Sequence, residues 1–97
     1  MKIITICGSL KFQKEMMETA QKLAFDGNCV LTPTYPVLKD ITITDEQMKY
    51  LKDEHFKRIE LSDAIFVINV NNYIGESTNL EIEYAKKLGK EIIYYLK

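Results

Sequence analysis

A single small α/β domain built on a doubly wound parallel sheet is what three features of this 97-residue chain predict. Apolar, β-branched runs alternate with segments of helical periodicity, an order that builds parallel sheets with right-handed crossovers. Two of the runs, Lys2–Cys7 and Ala64–Val70, are apolar almost throughout, as strands covered on both faces must be. Each is followed by a polar turn, Gly8-Ser9 in one case and Asn71–Thr78 in the other, that leads toward a helix. Together these predict about four strands in the order 2-1-3-4, a flavodoxin-like sheet with its switch point between strands one and three. Residues 1–97 form one domain, too small to house a separate substrate domain.

The first strand, Lys2–Cys7, stops at Gly8. From Lys11 to Phe25 the apolar positions Phe12, Met16, Ala20, Leu23 and Ala24 keep helical spacing, and Asp26-Gly27 supplies the stop. Cys29–Thr32 is a short second strand, after which Pro33 and Pro36 prevent a helix. The loop of roughly ten residues that follows exceeds the usual connection in such units and is a candidate lid or pocket wall. Thr44-Asp-Glu-Gln47 has the spacing of a capping box, and Met48, Leu51, His55 and Ile59 then mark one face of a helix ending near Leu61. Strand three, the polar turn and helix three come next; Gly89 ends that helix, and Glu91–Leu96 is the last strand.

Composition narrows the function. A formal charge of -1 with both signs scattered along the chain leaves no basic footprint for a nucleic acid polymer. Cys7 and Cys29 lie in apolar runs, with no CxxC spacing and no histidine near in sequence, so buried thiols are expected rather than a metal site or a disulfide scaffold. No leader-like segment and no membrane-length apolar run is seen, which makes a cytoplasmic location the expectation.

The third turn carries the chemistry. Within Tyr73-Ile-Gly-Glu-Ser-Thr-Asn-Leu-Glu-Ile-Glu-Tyr-Ala85, Glu81 precedes Tyr84, Ala85 and Leu88 by three, four and seven positions, which places a carboxylate on the core-facing stripe. In the helix's first turn it would overhang the carboxyl ends of the strands, where open α/β sheets hold ligands. Thr78-x-x-Glu81 is equally a capping box, in which the carboxylate merely folds back on the backbone.

Cys7-Gly-Ser-Leu10, Ser62-Asp63 and Gly75-x-Ser-Thr-x-x-Glu-Ile-x-Tyr-Ala85 resemble the nucleoside 2-deoxyribosyltransferase superfamily, including its branch that hydrolyses deoxynucleoside 5'-phosphates. The resemblance runs over essentially the whole chain, and the last motif is the specific one. It implies that Glu81 is a nucleophile that attacks C1' of a 2-deoxyribose, expels the base and forms a covalent sugar ester. It also implies a phosphate-holding role for Gly8 and Ser9, although any strand-to-helix turn favours Gly-Ser. Gly75, Ser77 and Thr78 would hold a phosphate or a sugar hydroxyl, or cap the helix. Where the family carries a tyrosine three residues before the loop glycine, this chain has Thr5, a shorter hydroxyl. Where it carries a catalytic aspartate eight residues before the strand-three aspartate, here Asp63, this chain has His55. His55 is thus either a proton donor to the departing base or a packing residue on its helix. Asp63 is expected to fix the strand entry.

The expected function is cleavage or transfer at the N-glycosidic bond of a deoxynucleoside or its 5'-phosphate, with no cofactor and no metal. A non-catalytic nucleotide-binding module and a hydrolase of NAD-like nucleotides are the alternatives. Members of the family often complete the site from a neighbouring subunit; here either another segment, such as the Thr34–Pro36 loop, takes that place or the site is pared down. A homodimer is expected, with Tyr73, Tyr84, Tyr94 and Tyr95 supplying aromatic area.

Overall fold

Four parallel strands in the order β2-β1-β3-β4 form the sheet of the computed structural model, which describes residues 1–96. They are β1 (Ile3–Gly8), β2 (Cys29–Leu31), β3 (Ala64–Ile68) and β4 (Glu91–Tyr94). β1 and β3 pair from Ile4 with Ala64 to Gly8 with Ile68, and they are central because their side chains are apolar on both sides. Alternation along the strands sends Cys7, Ile65 and Val67 to one face, where they meet Ile59, Ile82 and Ala85. Ile6 and Ile68 point to the other face and meet Met16. The fold class and strand order are those expected from the sequence.

Helix α1 (Gln13–Phe25) covers the Met16 face. It starts two residues later than its apolar spacing suggests, because Leu10–Phe12 first make a 3-10 turn capped by Ser9. Thr19 takes a buried place on its stripe, whereas Phe25 is exposed.

Helices α2 (Asp45–Leu61) and α3 (Glu76–Lys87) cover the opposite face. The Thr44 capping box is complete, with Gln47 N–H donating to the Thr44 hydroxyl at 3.1 Å and Thr44 N–H to the Gln47 side chain at 2.9 Å. Only the second half of α2 packs. The Arg58 carbonyl accepts from the Thr5 hydroxyl while His55 lies beside Cys7, so the helix runs antiparallel to β1. Residues 45–54 must then project past the carboxyl end of the sheet, and all of them are exposed. Met48 and Leu51, expected on the buried stripe, belong to that projecting half.

Two readings of α3 are corrected. Its cap is Gly75, with no side-chain bond, so Thr78 is the third helical residue and no Thr78–Glu81 capping box forms. The buried stripe is Thr78, Ile82 and Ala85; Glu81 lies on its edge in the second turn, and Leu88 is exposed. Asp63 does fix the strand entry, accepting the Ile3 N–H at 2.8 Å while its own N–H donates to the Ile3 carbonyl. Among the described residues no helix is long and apolar enough to cross a membrane.

Candidate active site

An open cleft lies outside the carboxyl ends of β1 and β3, at the point where the chain turns from one half of the sheet to the other. Its floor is Gly8-Ser9 and the start of α3, and its walls are the 33–38 loop and the projecting half of α2. Its volume of about 1410 Å³ exceeds the ~300–1,000 Å³ of pockets that enclose one small ligand. Glycine suits the floor, because Gly8 has a φ of +157° and a Cβ there would stand a tight 3.2 Å from both Cβ and the carbonyl oxygen of Ile68.

The predicted site residues fall into two groups. Gly8, Ser9, Gly75, Ser77, Thr78, His55 and Glu81 all line the cleft. The Ser9 hydroxyl accepts from Lys11 N–H at 3.4 Å, a long bond that leaves it open to a further partner. Because Gly75 brings no side-chain cap, the first N–H groups of α3 have no such partner, an arrangement that suits an anion. Thr78 is buried, whereas Ser77 is exposed. Thr5 is different: it is wholly buried, and its hydroxyl is taken up by the Ser62 hydroxyl and the Arg58 carbonyl. Its side chain points to the α2 face three residues before the strand end, and it is not among the residues that line the cleft.

His55 and Glu81 meet. The projection of α2 past the sheet brings its third turn to the end of β1. His55 Nε2 lies 3.4 Å from Glu81 Oε1 and 3.5 Å from Cys7 Sγ. On the far side of the ring, Arg58 Nη1 is 3.1 Å from Nδ1. Arg58 is itself held by Glu54 Oε1 at 2.6 Å and by the Thr34 hydroxyl at 3.1 Å, and that hydroxyl donates to the same carboxylate at 2.8 Å. These contacts, the Thr34 bond first, hold Glu54 below the usual carboxylate range. Burial, reinforced by the charge of Glu81 and a hydrogen bond to it, pushes the Cys7 thiol well above the ordinary range.

Arg58 and Glu54 were not singled out from the sequence, and Cys7 only as a buried thiol and the first residue of its loop motif. A signal for two of them existed: Arg58 follows His55 by three on a helix, and Cys7 is the last side chain on its face of β1 before the cleft. Cys7 and His55, far apart in sequence, meet in space. The ligand atoms of Cys7, His55 and Glu81 lie within 4.8 Å of one another, a spacing a metal ion could use. The donor arrangement opposes it. A metal on Nε2 would leave the ring proton on Nδ1, directed at an Arg58 N–H 3.1 Å away.

A family model described as a domain of unknown function, DUF4406, matches residues 5–94. The chain belongs to this family. No curated protein matches the DUF4406 chain in sequence. Among solved structures it is similar to a 2-desoxiribosyltransferase from Leishmania mexicana, with a TM-score of 0.72 and 19% identity over 98% of this chain and 64% of that one. It is also similar to the CMP N-glycosidase BcmB of Clostridium botulinum, with a TM-score of 0.62 and 19% identity over 96% and 67% of the two chains. A conserved protein from Enterococcus faecalis V583 aligns with a TM-score of 0.66 and 16% identity over 97% and 62%. The DUF4406 chain therefore shares the fold of these structures and spans about two thirds of their length.

Proposed function

We propose that this DUF4406 protein cleaves or transfers at the N-glycosidic bond of a deoxynucleoside or deoxynucleoside 5'-phosphate through a covalent Glu81–sugar ester. The supporting observation is the Glu81 carboxylate itself, on the cleft wall, free of any capping duty and held on one side by His55. The names of two proteins with the same fold, a 2-desoxiribosyltransferase and a CMP N-glycosidase, agree with that chemistry.

In the reaction a Glu81 oxygen bonds to C1' as the C1'–N bond breaks, and the bonding pair leaves with the base, which takes a proton from solvent. Water, or a second base, then attacks C1' and frees the carboxylate, giving overall retention. The uncapped start of α3, with Ser77 and Ser9 opposite, is the place for a 5'-phosphate or a sugar hydroxyl. Of the two roles weighed for His55, a donor to the departing base is the less supported, since Nε2 lies against Cys7 and Glu81 while Nδ1 lies against Arg58.

Intact-protein mass spectrometry with 2'-fluorinated nucleoside and nucleotide analogues tests the proposal. A stable adduct is expected on the parent and none on Glu81→Gln, whose turnover should fall at least about a thousandfold. Product chromatography over a panel of nucleosides, nucleotides and NAD identifies the substrate. Saturable nucleotide binding without base release would instead make the protein a binding module.

A further inference from the structure

The environment of His55 determines which way its hydrogen bonds run. A guanidinium has donors only and stays protonated, so His55 Nδ1, 3.1 Å from Arg58 Nη1, must accept. A neutral ring that accepts at Nδ1 carries its proton on Nε2, whose hydrogen-bond partner is Cys7 Sγ at 3.5 Å, with Glu81 Oε1 3.4 Å away. A carboxylate can only accept, and the Cys7 thiol has the same anion beside it to donate to. Every donor therefore points from Arg58 toward Glu81. We propose that Arg58, His55 and Cys7 are positioning residues, a one-way hydrogen-bond relay that holds the Glu81 carboxylate at its His55 side and leaves its remaining lone pairs to the substrate.

The relay is built rigidly. His55 is buried, and Arg58, with a side chain only 16% exposed, is clamped by Glu54 one turn earlier and by Thr34 of the cleft wall. The elevated thiol agrees with Cys7 acting as a donor rather than as a thiolate. A Cys-His-carboxylate metal site would need the same three side chains, but it requires a thiolate and a bare Nε2, the reverse of the donor order imposed by Arg58. The positioning role rests on the reading of Glu81 as nucleophile; the tautomer does not.

The chain has one histidine, so long-range 1H–15N NMR of the whole protein reads its tautomer without ambiguity. The Nε2–H pattern is expected at pH 7, unchanged by one equivalent of zinc chloride, with both tautomers populated in Arg58→Met. An Nδ1–H pattern, an imidazolium, or a zinc-shifted Nε2 in the parent would overturn the relay. Activity supplies the second arm, on the nucleoside that the panel identifies. Arg58→Met should lower kcat on the order of tenfold to a hundredfold at near-constant KM. His55→Gln, whose amide N–H can take the place of Nε2–H, should keep several times the kcat of His55→Ala, and equal kcat in those two variants would overturn the positioning role. If no nucleoside reacts, the glycosidic reading fails while the NMR result still decides the relay.

Discussion

A thiol enclosed by apolar side chains has no water to solvate its anion, and Cys7 has a carboxylate beside it as well. Its proton is held more tightly in the folded chain than in the unfolded one. The stability this contributes is fully present below the unfolded thiol pKa, about 8.5, and is lost as pH rises from there toward the elevated native value. The urea midpoint should accordingly fall between pH 7 and pH 9.5 in the parent but stay level in Cys7→Ala. Tyr35, Tyr50, Tyr84 and Lys2 are also shifted upward, but they begin to titrate nearer pH 10 and weigh little in that window. Parallel falls in the two proteins would assign the effect elsewhere. Thr5 and Cys7 show how position along a strand sorts similar residues: both face α2, yet only Cys7 is close enough to the strand end to touch the site.

Helix α2 is two half-helices with different duties. From His55 onward it packs on the sheet through Ile59, which has no exposed surface, whereas its first ten residues stand clear of the core. Ile59→Ala should cost about 2–5 kcal/mol of unfolding free energy, the range for truncating a buried isoleucine. Met48→Ala, at a position 55% exposed, should stay within about 0.5 kcal/mol. Denaturant titration of both variants checks the division, and similar losses would place the whole helix in one packing layer. Periodicity could not reveal it, because Met48, Leu51, His55 and Ile59 keep a single spacing while the sheet beneath them ends partway. In α3 the cap misled for a related reason: Thr78 matches a capping box in spacing, but the extended Gly75 starts the helix earlier and turns Thr78 inward.

At the scale of the molecule, the cleft is larger than one nucleoside needs, and its rim is apolar. Val37, Leu38, Ile41, Met48, Tyr50 and Leu51 are all at least 36% exposed. A surface of this kind is more typical of an interface than of a free rim. The expected outcome of light scattering at micromolar concentration is therefore a two-fold dimer, with Leu38→Glu shifting it toward monomer. A parent that is strictly monomeric would count against it. Of the four tyrosines considered for an interface, Tyr84 packs on Phe56 and donates to Glu60 at 2.7 Å and Tyr94 joins the core, whereas Tyr73, edge-on against Phe12, and Tyr95 remain exposed.

Strand order, the switch point and the place of Glu81 in a turn-to-helix motif were legible in the amino-acid sequence, because they depend on local signals. Apolar runs, periodicity and turn residues act over a few neighbours, and the parallel crossover rule then leaves few topologies. The company Glu81 keeps was not legible. Cys7, Arg58 and Glu81 come from β1, α2 and α3, and whether they touch depends on where α2 crosses the sheet edge, a quantity set by packing across the whole core and written in no single segment. Hydrogen-bond direction is likewise a property of the assembled group. His55 could donate or accept at either nitrogen until the tertiary structure set a guanidinium, which can only donate, against Nδ1.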